Sequence, residues 1–294
     1  QLLNTAAPAF VQFGVEPLAR LVDTAYLGRL NAAASGGAAA AIAAQYAVAK
    51  LYTDPLLRTS VSLVAGAREL DQGDAAIATA ANTTAATAAA LLDRQQQLSG
   101  AIASALYLAL AVGLLQALAF GSLAGPILRA CNVGPSSPMR SSALSYLRIC
   151  AAGAPAATLW LVCNGIFRGL GDTATPLVYS LLFTALNVIL DPLLIFRFNM
   201  GAAGAAAGTA IAQLCALLPL MCALARVLSP PGTARRGAIA SLRALFGQAG
   251  GLASLRTSLA AYARAGSIVL FRTIGKISAY SVVAREAARL GAVA

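Results

Sequence analysis

The chain has 294 residues, of which 59% are hydrophobic and only 11% are charged, a composition typical of an integral membrane protein and unlike that of a soluble domain. The formal net charge of +11 comes from basic residues scattered between apolar runs, and with aromatic residues at only 6% this pattern argues against a nucleic-acid partner. Because the chain contains no histidine, histidine-ligated metal sites and His-based catalytic triads are excluded.

The apolar runs predict seven membrane-spanning helices, because a helix needs about 20 mostly apolar residues to cross the hydrocarbon core. They are expected at roughly 2–28, 36–66, 99–121, 142–167, 174–197, 203–228 and 258–283. The fold class is therefore an all-α integral membrane protein. The polar, Ala-rich stretch between the second and third runs predicts a loop with some helical extension along the membrane surface.

The first run contains three charged residues near its end. Glu16 and Arg20 are four residues apart, and Asp23 follows Arg20 by three, so the three side chains share one face of a helix. One interpretation is a local charge cluster that reaches the membrane surface. The other is a functional carboxylate, because an acid in the bilayer interior costs at least a few kcal/mol. Pro8 in the same run predicts a kink.

The second run carries Lys50, Asp54 and Arg58 at intervals of four residues, which allows the charges to neutralise one another on one helix face. An internal ion-pair strip that faces a cavity and a functional role are both open at this point.

The fifth run contains the sharpest signal. Asn187 and Asp191 are four residues apart, hence stacked on one face, and Pro192 follows directly. A proline removes one backbone hydrogen bond and frees the carbonyl of Val188. Together these groups offer hard oxygen ligands, which suit H⁺ or Na⁺ better than a soft metal. A plain proline kink is the alternative interpretation.

The sixth run combines small and polar residues. Gly204 and Gly208 have the spacing that allows close approach of two helices, while Thr209 and Gln213 place polar groups on one face. Packing alone explains the glycines, and the threonine can bond back to its own helix.

Four stretches of the sequence occur in an order that matches a known family. They are EPLARLVDTAYLGRL, KLYTDPLLRTSVSLVAG, NGIFRGLGDTATP and LNVILDPLLIFRFNMGAAGAAAGTAIAQ. Together they resemble the MATE (multidrug and toxic compound extrusion) family, most closely its DinF-like branch and the plastid-type members of plants and algae. The resemblance covers the chain to about residue 230, and the seventh run more loosely.

The resemblance implies a transporter of two six-helix lobes that alternate access and exchange H⁺ or Na⁺ for an organic substrate. Residues 1–228 would form the N-lobe, a bundle of six helices, and 258–294 the seventh helix, the start of an incomplete C-lobe. The segment 229–257 opens with Pro-Pro-Gly and carries four arginines, which indicates a cytoplasmic linker between the lobes.

The resemblance also implies roles for single residues. Asp23 falls on the first-helix acid that the family uses for cation coupling, and Pro8 on the proline at which that helix bends. The polar cluster that lines the N-lobe cavity matches Asn164, Asn187, Asp191 and Thr209. We expect Glu16, Arg20 and Gln213 in supporting roles. No organic cofactor is implied, and no metal other than Na⁺ held by the two acids.

The mechanism that follows is a hypothesis. Asp23 and Asp191 share an incoming ion while the polar cluster orients them, and neutralising the pair lets the first helix bend at Pro8. The bend squeezes the cavity and expels an organic cation or amphiphile. The sequence departs from the family pattern at Asn31, where glycine is usual, and in ending after the seventh run. We therefore expect no transport by this chain expressed alone.

Other functions stay open on the sequence. An intramembrane prenyltransferase would need clustered aspartates for Mg²⁺ and a diphosphate, whereas Asp172 and Asp191 stand singly, so we expect no enzyme. A lipid or oligosaccharide flippase of the same superfamily shares the architecture, and a non-transporting membrane fragment is the third alternative. We expect a monomer in the lipid bilayer, in the chloroplast envelope by resemblance and otherwise in the plasma membrane.

Overall fold

The computed structural model describes residues 2–80, 84–131 and 133–228, and eight separate helical residues between 260 and 275. In the first three ranges the elements are α1 (Leu2–Leu27), α2 (Ala32–Ala80), α3 (Thr84–Ala130), α4 (Arg140–Gly169), α5 (Ala174–Pro192), a π-helical turn (Leu193–Arg197) and α6 (Ala202–Leu228). These described ranges contain no strand, and the all-α class is confirmed. The linker at 229–257 and most of the segment 258–294 lie outside the described residues, so their predicted roles stay predictions.

Five segments within the described residues are long and apolar enough to cross a membrane. They are residues 32–50, 98–130, 140–169, 174–197 and 202–228. The prediction of a multi-pass membrane protein is therefore confirmed. α1 has the length of a span, 26 residues, but it carries three charged residues and is not among these five.

The expectation of a loop between the second and third spans is wrong. α2 has 49 residues and α3 has 47, and only 81–83 separate their described ends. At about 1.5 Å per residue each helix is roughly 70 Å long, more than twice the hydrocarbon thickness of about 30 Å. Alanine has the highest helix propensity of all residues, so this polar, Ala-rich stretch extends both helices instead of interrupting them.

α4 is the central helix of the bundle. It packs against α2, α3 and α6, whereas α1 packs chiefly against α5. The largest apolar core includes Leu106, Phe167 and Leu220, one side chain each from α3, α4 and α6. α1 contributes little to this core, because Gln12, Ala19 and Leu27 are the only buried side chains among those described on it. Polar contacts are therefore important in fixing the position of α1 in the bundle.

The crossing of α3 and α4 depends on one glycine. Gly113 is buried, and a Cβ added there would stand 2.6 Å from Cα of Pro155 and 3.1 Å from the carbonyl oxygen of Ala154. Both neighbours are backbone atoms, which cannot move aside as a side-chain end does. Gly121, two turns later on α3, is exposed and would have no atom within 4 Å of an added Cβ.

We predict that Gly113→Val destabilises the protein by about 1–3 kcal/mol, because the added side chain overpacks the contact between α3 and α4. The thermal unfolding midpoint of the detergent-solubilised protein measures the effect. Gly121→Val is the matched control on the same helix and should change the midpoint little. Equal midpoints for the two variants would contradict the close approach.

Candidate functional site

An amide on α5 joins the carboxyl group of the same helix to α6. Asn187 and Asp191 are 1% and 0% exposed, one turn apart on α5. Nδ2 of Asn187 donates to Oδ1 of Asp191 at 3.2 Å and to Oγ1 of Thr209 at 3.1 Å. Thr209 in turn donates its hydroxyl proton to the carbonyl oxygen of Ala205 at 3.0 Å. Both N–H groups of the Asn187 amide are thus used, which fixes the orientation of the amide.

α1 brings a second carboxyl group to this cluster. Asp23 is partly buried, and its side chain lies within hydrogen-bonding reach of the Asp191 carboxyl. An ionised carboxylate only accepts hydrogen bonds, so a close pair of them needs a shared proton or a cation. Arg20 lies near enough to attract Asp23 electrostatically, but its guanidinium is exposed and lies 5.9 Å from the ring centroid of Tyr46.

Three buried oxygens of the cluster have no hydrogen-bond partner among the described residues. They are Oδ1 of Asp23, Oδ1 of Asn187 and Oδ2 of Asp191. A buried acceptor without a donor costs about 1–3 kcal/mol, so three in one cluster are costly unless something binds them. All three are hard oxygen ligands, which fit a proton or Na⁺. Within the described residues, no group of three or more His, Cys, Asp or Glu side chains is arranged to hold a metal ion.

The helix changes type directly after Asp191. α5 ends at Pro192, and the π-helical turn begins at the next residue. The N–H of Leu193 donates to the carbonyl oxygen of Leu190, and the N–H of Phe198 donates to that of Leu193 at 3.0 Å. The helix type therefore changes at Pro192, where we expected a kink, and π turns are often found at functional sites. α1 runs through Pro8 without interruption, and a bend there stays a prediction.

Asn164, which we expected in the same cluster, lies in a different network. Its Oδ1 accepts a hydrogen bond from Nε2 of Gln12 at 2.8 Å, and its Nδ2 donates to the carbonyl oxygen of Trp160 at 2.7 Å. Gln12 is 7% exposed; it also donates to Oγ of Ser180 at 3.0 Å and accepts from Nη2 of Arg168 at 3.0 Å. We call this set the Gln12 network. It joins α1 to both α4 and α5.

The Gln12 network and the carboxyl pair occupy two levels of α1. Eleven residues separate Gln12 from Asp23, which is three helical turns, so both side chains share one face about 16 Å apart along the axis. The sequence places Asn164 correctly on an inward face of α4 but gives no information about its depth in the bundle.

The supporting residues are less closely connected to the site. Gln213 is half-buried on α6, one turn after Thr209. The side chain of Glu16 lies outside the described residues. On α2, Lys50 forms a salt bridge with Asp54 at 3.0 Å, as the sequence spacing predicts, while Arg58 is exposed.

Sequence reasoning missed two residues, one in the Gln12 network and one beside the carboxyl pair. Gln12 was detectable, because it precedes Asp23 by three helical turns on the same face. Tyr146 of α4 lies close enough to Asp23 and Asp191 to interact with both electrostatically. Nothing in the sequence signals this role, since it depends on how α4 faces α1 and α5.

Comparisons with known proteins establish the family. A family model described as MatE matches residues 75–193. Protein DETOXIFICATION 45, chloroplastic, of Arabidopsis thaliana is 32% identical over 296 residues, which cover 100% of this chain and 49% of that protein. The chain belongs to the MATE family. Protein DETOXIFICATION 44, chloroplastic, of the same plant is 30% identical over 216 residues, 72% of this chain and 38% of that protein.

The fold is also that of solved MATE structures. A multidrug resistance MATE family transporter of the MOP superfamily, in an outward-facing conformation, is similar at a TM-score of 0.67 and 20% identity, over 93% of this chain and 52% of the other. This MATE chain thus spans about half the length of the relatives it matches. Because MATE proteins are transporters and not enzymes, the prenyltransferase alternative is excluded.

We predict that Gln12→Leu lowers the free energy of unfolding by about 1–3 kcal/mol, because it leaves Oδ1 of the buried Asn164 without its donor and removes the contacts of Gln12 with Ser180 and Arg168. Thermal unfolding in detergent measures the loss. Gln45→Leu, a half-buried glutamine on α2 outside the network, is the control. A Gln12→Leu protein as stable as this control would show that the network does not hold α1.

Proposed function

We propose that the protein is a secondary active transporter that exports small organic molecules in exchange for H⁺ or Na⁺. In this proposal the described lobe binds the coupling ion. The carboxyl pair of Asp23 and Asp191, with its buried unpaired oxygens, is the observation that carries the proposal. Family membership and the names of the relatives, which refer to detoxification and multidrug resistance, support it.

Ion binding follows from the chemistry of the cluster. An incoming H⁺ or Na⁺ relieves the repulsion of two carboxylates and gives the unpaired oxygens a partner. The amide of Asn187 has both N–H groups engaged, so only its Oδ1 is left to face an ion. Thr209 holds that amide from α6. The site thus offers oxygen ligands from three side chains on two helices, α1 and α5.

Coupling also requires that ion binding changes the position of α1. Among its described side chains α1 buries few apolar ones, so a change in its polar contacts alters its position at low cost. If an ion binds one arrangement of α1 more tightly than another, it favours the first arrangement. The equilibrium between the two arrangements changes by the ratio of the two ion affinities. We propose that α1 bends at Pro8 when the carboxyl pair is neutralised, and that this motion drives alternating access with a second lobe.

The substrate and the compartment follow from the same comparisons. An exposed apolar surface on α1, which includes Phe10, Leu18 and Leu21, suits an organic cation or amphiphile. The MatE match favours this class over the lipid or oligosaccharide of a flippase. The word "chloroplastic" in the names of two relatives supports the chloroplast envelope as the location. We propose that the protein acts there as a monomer.

We predict that Asp23→Asn and Asp191→Asn each reduce ion-driven exchange by roughly tenfold or more, a loss of about 1.4 kcal/mol of coupling. The measurement is substrate-driven dissipation of a pH or Na⁺ gradient in vesicles that contain a version of the protein with both lobes. The double variant should lose no more than the single ones, because residues that act as one site are not additive.

Asp172→Asn is the matched control. Oδ1 of Asp172 accepts backbone hydrogen bonds from Ala174 and Thr175 at 3.0 Å each, and asparagine keeps that acceptor. This variant should exchange at the wild-type rate. Undiminished exchange by Asp23→Asn or Asp191→Asn would contradict the proposed function.

A further inference from the structure

A glycine of α6 lies directly against the carboxyl group of Asp191. Gly208 is buried, and a Cβ added to it would overlap Oδ1 of Asp191 and stand 3.3 Å from Cγ and from the backbone N of the same residue. The carboxyl group therefore occupies the volume that any side chain at position 208 would need. This contact brings α6 against the reactive end of Asp191 as well as its backbone.

The neighbouring glycine makes a different contact. At Gly204, one turn earlier, an added Cβ would lie 2.7 Å from the carbonyl carbon of Leu194 and 2.8 Å from the N of Ile195. These are backbone atoms of the π-helical turn. Helix packing explains Gly204 fully, but it does not explain why the nearest neighbour of Gly208 is a carboxylate oxygen.

One turn of α6 thus contacts both Asn187 and Asp191 of α5. Thr209 accepts a hydrogen bond from Asn187, and the adjacent Gly208 leaves room for Oδ1 of Asp191, which accepts from the same amide. With Oδ1 occupied in this way, the other oxygen, Oδ2, is the one without a partner among the described residues. The glycine decides which carboxylate oxygen of Asp191 is available to an ion.

We propose that Gly208 is a positioning residue for ion coupling: the absence of a side chain at this position sets the orientation of the Asp191 carboxyl group. This inference rests on the proposed function, in which Asp191 holds the coupling ion. A methyl group at position 208 displaces the carboxyl from Asn187 and changes its distance to Asp23. The ion is then bound with altered affinity, while the substrate-facing surface of α1 is unchanged.

The test is Gly208→Ala in the protein with both lobes, reconstituted in vesicles. We expect the half-saturating Na⁺ concentration, or the proton concentration at the midpoint of the pH profile, to shift by about tenfold, the scale expected for a misplaced ligand. The half-saturating substrate concentration should change less than about twofold, because no substrate contact is removed. Gly100→Ala on α3, with no atom within 4 Å of an added Cβ, is the matched control.

Gly204→Ala separates positioning from packing. It clashes with backbone only, so it should lower the thermal midpoint without moving the ion midpoint. If Gly208→Ala behaves in this same way, the positioning role is overturned. If Asp23→Asn and Asp191→Asn retain full exchange, the proposed function fails instead, whatever Gly208→Ala does.

A second measurement covers the case in which Gly208→Ala folds poorly. Combining it with Asp191→Ala removes the carboxyl group that the new methyl overlaps. The double variant should then recover the thermal midpoint that Gly208→Ala loses relative to wild type, because the two positions interact directly. No recovery would show that the Asp191 carboxyl is not what position 208 contacts, and would overturn the proposal.

Discussion

The carboxyl group of Asp191, which is buried, and that of Asp23, which is partly buried, lie side by side between α5 and α1, and this pair imposes the constraint that the rest of the site satisfies. A pair of buried negative charges is strongly unfavourable, so the structure must supply donors or admit a cation. It supplies one donor, the amide of Asn187, and leaves other acceptors open. That incomplete compensation is what distinguishes this cluster from a structural polar network, in which every member finds a partner.

The arrangement places the site between a fixed scaffold and a weakly held helix. α4 packs on three helices and anchors the main core, and α5 and α6 approach each other through glycine contacts. The apolar attachment of α1 is smaller: among its described side chains, Leu27 enters a separate apolar cluster with Ile195 and Ala205. Close-packed elements move as units, so in the proposed mechanism a change at the carboxyl pair would move α1 rather than distort α5.

The sequence predicts helix ends and contacts within one helix, but it does not predict at which height in the bundle residues of different helices meet. Apolar length places α4 and α6 within a few residues of their observed ends, and four-residue spacing pairs Asn187 with Asp191. The Ala-rich extension of α2 was missed because its sequence has no apolar period. Only the family resemblance predicted that Asp23 lies beside Asp191. The family resemblance placed Asn164 in the same polar cluster, whereas in the structure its side chain contacts Gln12 and Trp160.

α1 is held both by the Gln12 network and by the carboxyl pair. The proposed movement of α1 would therefore have to change both sets of contacts. If α1 bends at Pro8, Gln12 and Asp23 both lie beyond the bend, so the Gln12 network must rearrange together with the carboxyl pair. At about 0.5–1.5 kcal/mol for each of its three hydrogen bonds, that network holds α1 by roughly 1.5–4.5 kcal/mol. One elementary charge moving through 100 mV supplies about 2.3 kcal/mol. The free energy with which the Gln12 network holds α1 is therefore of the same order as the free energy that the proposed coupling ion would supply.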